Sequence, residues 1–397
     1  MKVDPESEAT LKNTIDLLDR LVAFDTTSSR SNLQLIEFVT EYLGQRGLNA
    51  RLTSNSEGTK SNLWVTIGPE SKGGVVLSGH TDVVPVDGQQ WNSDPFQLDE
   101  RNGKLYGRGT CDMKGFLACV LAHTDYFLSL PLQVPVHYAL SYDEEVGCIG
   151  VGGLIRDIVD NLPLPIAVIV GEPTSMKIIG GNKGGRSFDT TINGTDGHSS
   201  LPQLGVNSIL VANQIIEKLT DVQERLIREA DPDNGFNPPY TTLDIGVING
   251  GTAANIIPAR CDIKWGFRGL PDQDMDKLES EIRSFIDDEI VPDMQAVSSD
   301  TGVVTIVRSD VPPLQPDENS TAEQLVRHLS KLNESGRVSY GTEAGLFQKA
   351  GIPGVIYGPG SIEQAHLPDE YVEVSQLDEC NQFLAELGQW ATNPVFQ

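Results

Sequence analysis

Cysteine is scarce in this chain. Five are spread over 397 residues, at positions 111, 119, 148, 261 and 380, an odd number with no Cys-x-x-Cys pair. Neither a disulfide framework nor a thiolate zinc site fits that spacing, and a reducing cytoplasm is the expected setting. Basic residues are few as well: 29 Lys and Arg against 56 Asp and Glu leave a formal charge of −27. Such a balance disfavours phosphate backbones and anionic lipid, so neither nucleic acid nor a membrane is an expected partner. The acidity names no substrate, because acidic residues usually form a solvated face. No apolar run approaches the ~20 residues of a membrane span. Met1 to Glu6 carry no basic-then-apolar leader, and neither an internal repeat nor a low-complexity tract is found.

What is present is a chain long enough for two domains, punctuated by 39 glycines and 23 prolines. Leu11, Ile15, Leu18, Leu21 and Val22, then Leu35, Ile36, Val39 and Leu43, recur at helical spacing. Strands are predicted at Leu63–Ile67, Val75–Leu77, Val134–Leu140 and Ile166–Val170, with a helix from about Phe116 to Leu130. Strands alternating with helices predict an α/β fold with a mostly parallel sheet flanked by helices. From Gly184 the order becomes strand (Ser187–Ile192), helix (Asn207 to about Ile227), strand (Thr242–Ile248), strand (Ala259–Phe267), helix (Met275–Ile290) and strand (Val303–Val307). That β-α-β-β-α-β order predicts a ferredoxin-like module inserted into the first domain. The expected domains are 1–183 with 312–397, and 184–311 as the insertion. A helix over Thr321–Leu332 resumes the first domain.

The chemistry-bearing residues sit in glycine-rich turns beside these elements. Ser78-Gly79-His80-Thr81-Asp82 ends a strand in an imidazole with a carboxylate two residues on, the pattern of a metal ligand and its orienting partner. Asp112 lies in Gly107-Arg108-Gly109-Thr110-Cys111-Asp112-Met113-Lys114-Gly115, Glu144 and Glu145 in Asp143-Glu144-Glu145-Val146-Gly147, Glu172 in Gly171-Glu172-Pro173, and His366 in Gln364-Ala365-His366-Leu367-Pro368. Together these clusters supply five oxygen and nitrogen ligands and a spare carboxylate, about what two cations sharing a bridging carboxylate require. Neighbours in extended chain point to opposite sides, so Glu144 and Glu145 do not easily serve one metal together. Gly107-x-Gly109 lacks the third glycine of a nucleotide loop. Cys111, with no histidine base beside it in sequence, reads as a core spectator. His123, His137 and His328 read as ordinary helix or strand residues.

In this ordered set and over nearly its whole length the chain resembles the co-catalytic dizinc metallopeptidases that include aminoacylases, succinyl-diaminopimelate desuccinylase and acetylornithine deacetylase. Gly358 to Tyr371, with Tyr340-Gly341-Thr342-Glu343-Ala344, is most similar to the acetylornithine deacetylase branch. The resemblance implies a zinc-peptidase-like catalytic domain with an inserted dimerisation and lid domain. It implies two Zn2+ per subunit, replaceable by Co2+: one on His80, Asp112 and Glu172, the other on Asp112, Glu145 and His366. It makes Glu144 the general base, Asp82 the partner of His80, and the Asp112–Met113 peptide cis. His198, in Thr195-Asp196-Gly197-His198-Ser199-Ser200, would stabilise the oxyanion from a neighbouring subunit of a homodimer. Asn255 and Arg268 match positions that bind the substrate carboxylate. Thr342 and Glu343 would line the pocket, Glu343 facing the side-chain amine of the substrate.

The activity so implied is removal of the acetyl group from an Nα-acetyl amino acid, N2-acetyl-L-ornithine first, within arginine biosynthesis. A deacylase for another Nα-acyl amino acid or diamino acid, including a desuccinylase-like enzyme, is the alternative. A non-catalytic binding protein of the same fold is a remote one, disfavoured by retention of all five ligands and the base.

Overall fold

The computed structural model describes residues 5–71 and 73–394, so Met1 to Asp4, part of the stretch read as carrying no leader, lie outside the described residues. In chain order the elements are α1 (Pro5–Val22), α2 (Leu33–Gly44), β1 (Arg51–Ser54), β2 (Ser61–Ile67), β3 (Val75–His80), β4 (Asp99–Arg101), β5 (Lys104–Tyr106), α3 (Lys114–Ala122), α4 (Thr124–Ser129), β6 (Val136–Ser141), α5 (Val151–Asn161), β7 (Ala167–Val170) and β8 (Ile178–Asn182). Next come β9 (Gly184–Asn193), α6 (Ser208–Arg228), β10 (Thr242–Gly250), β11 (Arg260–Gly269), α7 (Met275–Phe285), α8 (Val291–Val297) and β12 (Gly302–Val311). The return is α9 (Thr321–Ser330), β13 (Ser335–Val338), α10 (Ala344–Lys349), β14 (Gly354–Ile356), β15 (Tyr371–Glu373) and α11 (Val374–Thr392).

The chain divides into two units. One runs up to Gly181 and takes in Leu314–Arg337 and the residues from Thr342 onward; the other is Asn182–Pro313 with Val338–Gly341. The first is built on a sheet of order β1-β2-β6-β3-β7-β14-β8-β13. Its centre, β6-β3-β7-β14, is parallel, while β1, β2 and β8 pair antiparallel at the flanks. Every residue of β3, β6 and β7 is buried, as expected of parallel strands covered on both faces. All nine residues of α3 are buried too, with α1 and α11 against it. So enclosed, the helix is free of charged residues from Gly115 on, and the buried Lys114 at its start donates to the Phe24 carbonyl at 2.7 Å. Gly79 lets β3 approach its start: a Cβ there would stand 2.7 Å from Met113 Cε.

The helix expected from Phe116 to Leu130 is broken at His123, whose φ of −86° and ψ of 0° leave the helical well. Thr124 Oγ1 donates to the Leu121 carbonyl at 2.7 Å, one of the side-chain bonds that compete with the helical ladder.

The second unit is an antiparallel sheet of order β10-β11-β9-β12. Counted within the unit that order is 2-3-1-4, the ferredoxin-like arrangement of two split βαβ halves. Burial alternates strictly along β11, and Phe188, Ile192, Trp265 and Phe267 meet Ile215, Leu219, Leu278 and Ile282 in a separate core. Asn207 and Asp274 cap α6 and α7 by accepting amides of the first turn. The helix expected to end at Ile290 continues through a π turn (Ile286–Ile290) into α8. Pro292 lies in the first turn of α8, where no amide hydrogen is required.

Candidate active site

Three of the five ligand candidates sit at the C-terminal ends of adjacent parallel strands. His80 closes β3, Glu145 follows β6 and Glu172 lies two residues past β7. This edge is where an open α/β sheet exposes its loops to a ligand. Asp112 comes from the loop between β5 and α3, and His366, at a φ of 63°, from the loop between β14 and β15. Gly109, at a φ of 85°, gives the Asp112 loop a turn that L side chains rarely adopt. The Asp112–Met113 peptide is cis.

Side chains from these loops converge. His80 Nε2 is 2.9 Å from Asp112 Oδ1 and 3.7 Å from Glu172 Oε1. His366 Nε2 is 3.4 Å from Asp112 Oδ2 and 3.1 Å from Glu145 Oε2. Two triads result, His80-Asp112-Glu172 and Asp112-Glu145-His366, the ligand atoms of each lying within 4.8 Å of one another. Asp112 gives one oxygen to each. The first triad is buried, whereas the His366 side chain is 52% exposed and forms the open side.

Charge is badly balanced there. Burial, then the Asp112 carboxylate, pushes Glu172 well above the usual carboxylate range, and the same causes raise Glu145. Burial also pushes Glu144 up to about 8, against the opposing pull of His80. Burial alone would lower His80, but Asp112 and Glu172 outweigh it and hold the imidazole well above its ordinary value. Hydrogen bonds donated to Asp112 and then to Glu145 raise His366 to about 10. Four carboxylates thus face two imidazoles, and Glu145 Oε1 is buried without a hydrogen-bond partner. Unmatched buried carboxylates with convergent imidazole nitrogens are a donor set that fits two divalent cations.

Asp82 works differently from the expectation that its carboxylate holds the imidazole. His80 Nδ1 is 2.9 Å from the main-chain carbonyl of Asp82, and 3.7 Å from the carboxylate. The carboxylate instead accepts the amides of Glu144 at 3.1 Å and Glu145 at 3.3 Å, and the Ser28 hydroxyl at 2.7 Å. One residue therefore orients a ligand through its backbone and positions the base and a second ligand through its side chain. Glu144 Oε1 also accepts from the Cys148 thiol at 3.2 Å. Cys111 is buried and donates to the Ser361 carbonyl, away from Glu144.

Thr342 and Glu343 are buried before α10, Glu343 being 1% exposed. Its two oxygens accept the hydroxyls of Ser78 and Ser141, and Thr342 Oγ1 accepts the Ala344 amide. In the inserted unit His198 and Asn255 are exposed neighbours: Ser199 donates its amide to the Asn255 carbonyl and His198 bridges Ile256. Arg268 is exposed at the opposite end of β11 from Arg260, the end adjoining the Asn255 loop.

The model of peptidase family M20/M25/M40 matches residues 76–389. The chain belongs to that family. Among M20 relatives, the acetylornithine deacetylase of Myxococcus xanthus is 35% identical over 376 residues, covering 93% of this chain and 94% of that protein. The acetylornithine deacetylase of Pasteurella multocida is 33% identical over 95% of this chain and 98% of its own. Among solved structures, an M20 metallo-carboxypeptidase from Sulfolobus solfataricus aligns with a TM-score of 0.76 at 20% identity, over 96% of this chain and 99% of that one. A dinuclear metal binding M20 peptidase from Bacillus subtilis gives 0.64 at 16% identity, over 98% and 100%. The protein is accordingly a metal-dependent hydrolase of linear amides. No helix among the described residues is long and apolar enough to cross a membrane.

Ser28, Cys148, Arg108 and Glu370 enter the M20 site without having been singled out from the sequence. Ser28 and Cys148 carry no local pattern, since their roles exist only once distant loops meet. Arg108 and Glu370 did leave a signal: a lone Arg between two glycines, and a Glu within the Leu367-Pro368-Asp369-Glu370-Tyr371 segment that follows His366.

Proposed function

We propose that this chain removes the acetyl group from N2-acetyl-L-ornithine, releasing acetate and L-ornithine for arginine biosynthesis, as a cytoplasmic homodimer joined through its inserted unit. The observation that carries the reading is the pair of triads sharing Asp112, with Glu144 beside them. Identity of 33–35% to acetylornithine deacetylases over most of the chain narrows the substrate.

Two Zn2+ ions, replaceable by Co2+, would be held by His80, Asp112 and Glu172 and by Asp112, Glu145 and His366. When bound, they would polarise the scissile carbonyl and lower the pKa of an attacking water. The residues do the rest. Glu144 is no ligand, and Asp82 holds its amide. Its carboxylate takes the proton of the water as the oxygen bonds to the acetyl carbon, then returns it to the leaving nitrogen as the amide bond breaks.

His198 stabilises the oxyanion. Its Nδ1 accepts the Ser200 amide at 3.2 Å, and a backbone N–H can only donate, so the ring carries its hydrogen on Nε2 and presents a donor. Arg268, which forms no ion pair among the described residues, grips the substrate carboxylate with two parallel N–H groups, and Asn255 assists. Arg260 and Arg268 are eight residues apart on β11, roughly 26 Å at ~3.3 Å per residue. A small acyl amino acid cannot touch both ends of one inserted unit. If His198, Asn255 and Arg268 all act, they come from two copies of the chain, which supports the homodimer. Edge strand β10 exposes Val247 and Ile248, with Ile209, Leu210 and Ile256 exposed nearby on the same unit.

Thr342 and Glu343 are assigned to the ornithine side chain. Each oxygen of Glu343 accepts one hydroxyl and keeps a further lone pair with which to accept from the ammonium group.

A panel of N2-acetylornithine, N-acetylmethionine and N-succinyl-diaminopimelate, assayed after chelation and restoration of zinc or cobalt, tests the assignment. The largest kcat/KM is expected for acetylornithine. A preference for either of the others would assign the chain to a different acyl amino acid.

A further inference from the structure

Glu370 stands immediately before β15, outside both triads, and is 1% exposed. Its Oε1 accepts three amides from a single loop: Gly109 at 3.0 Å, Cys111 at 2.9 Å and Asp112 at 3.1 Å. One oxygen gathering three amides makes that loop an anion nest, and the nest includes the backbone of the shared ligand. Oε2 accepts from Arg108 Nη1 at 2.6 Å, and Arg108 is likewise 1% exposed.

The network then runs on to the other side of the site. Arg108 Nη1 also reaches the Leu367 carbonyl at 3.3 Å, while Nη2 donates to Gln89 Oε1 at 2.6 Å. Gln89 Nε2 donates to the carbonyl of His366 at 2.8 Å. Trp91 donates to the same Gln89 oxygen at 3.1 Å, and its ring lies 5.1 Å from the Arg108 guanidinium. Strand pairing of Tyr371 with Tyr106, and the bond from the Gly107 amide to the Glu370 carbonyl at 3.0 Å, fix the frame.

Asp112 and His366 come from irregular loops far apart in sequence, and unlike His80 neither lies on a strand of the parallel sheet. A buried ion pair is weak as a source of stability, because desolvating two charges offsets much of their attraction. Its value here is geometric. We infer that Glu370, anchored by Arg108, is the positioning residue that sets Asp112 against His366 and so fixes the spacing of the two triads. The inference rests on the dimetal reading of the site. Partners that orient metal ligands in this way typically change affinity 10- to 100-fold when removed.

The test is Co2+ binding to the chelated full-length protein by titration calorimetry and visible absorption, for the parent, Glu370→Gln and Gln89→Ala. Thermal unfolding of each metal-free form runs alongside. Glu370→Gln retains an oxygen for the amides but turns an N–H toward Arg108. It is expected to weaken both ions roughly 10- to 100-fold, since Asp112 serves both. Gln89→Ala loses the contact with the His366 carbonyl and the acceptor of Arg108 Nη2 and Trp91 but leaves Glu370 on the Asp112 loop, so it should weaken mainly the ion held by His366, about tenfold. A parent that binds fewer than two Co2+ would overturn the dimetal reading itself. A parent that binds two, with both variants unchanged in affinity, would overturn the positioning role alone. Unchanged affinities overturn it even if Glu370→Gln unfolds at a lower temperature, because the pair would then serve only the fold. Should Glu370→Gln fail to fold, unchanged affinities in Gln89→Ala overturn the inference.

Discussion

Glu144 and Glu145 are adjacent in the chain, yet one faces the Cys148 thiol and the other His366. The backbone here is a turn and not the extended chain expected, the Glu144 carbonyl accepting the amides of Gly147 and Cys148, and the carboxylate of Asp82 holds the amides of both glutamates. Because Glu144 belongs to neither triad, Glu144→Gln should keep both metals and lose roughly 100-fold or more in turnover. Metal analysis beside a steady-state assay checks this, and loss of metal with the base would move Glu144 into the ligand set. At Glu343, replacement by Gln should reduce kcat/KM for acetylornithine roughly 10- to 100-fold, the ~1.5–3 kcal/mol of a charge-assisted bond, with acetylmethionine much less affected. An equal loss for both substrates would make Glu343 a support for Ser78 and Ser141 instead. At this scale the triad residues stood out because each belongs to a short ionisable cluster in a turn beside an apolar strand or helix. The carbonyl role of Asp82 was not, because sequence spacing cannot say which oxygen of a residue meets a ring.

At the scale of elements, ligands sit where strands stop, and the strands stop where apolar runs end. Val75 to Leu77, Val134 to Leu140 and Ile166 to Val170 announced the three parallel strands that carry the site. The antiparallel flanks β1 and β8 stayed hidden, since β1 is short and largely exposed and β8 reads Ile-Ile-Gly-Gly-Asn. The break at His123 was equally hidden, because it depends on hydroxyl and backbone geometry rather than on periodicity. Strand β6 carries a testable burden. His137 stacks on Trp64 with centroids 4.6 Å apart, Nδ1 meets Thr66 Oγ1 at 3.0 Å, and Nε2 is buried without a partner. Burial holds its pKa down to about 3, against an ordinary 6.5. Between those values the unfolded chain binds the extra proton, so this histidine costs stability as pH falls from about 6.5 toward 3. Urea unfolding at about pH 7 and about pH 5 should show His137→Gln losing ~2 kcal/mol less than the parent over that interval. Identical losses in the two proteins would contradict the account of this strand.

For the whole molecule, the change of rhythm at Gly184 and the run Pro312, Pro313 and Pro316 were read as the bounds of an insertion; the second unit spans Asn182–Pro313 but also takes in Val338–Gly341, which no sequence signal marked. What composition could not supply is how copies of the chain associate, since −27 charges describe a surface and not a contact. The proposed dimer makes a direct prediction. Subunits carrying His198→Ala and subunits carrying Glu144→Gln, each nearly inactive alone, should recover up to about a quarter of parental activity after mixing and exchange, because each hybrid dimer rebuilds one of its two sites. No recovery despite proven exchange would put His198 in the same subunit as its metals or outside catalysis. The central claim is that two metals sharing Asp112 hydrolyse N2-acetylornithine. Its most direct test is release of ornithine from acetylornithine as chelated protein is reloaded with zinc. Activity should rise until two equivalents per chain are bound and stop there, with Asp112→Asn remaining inactive at any zinc level. Full activity at one equivalent, or undiminished activity in the chelated protein, would contradict the account.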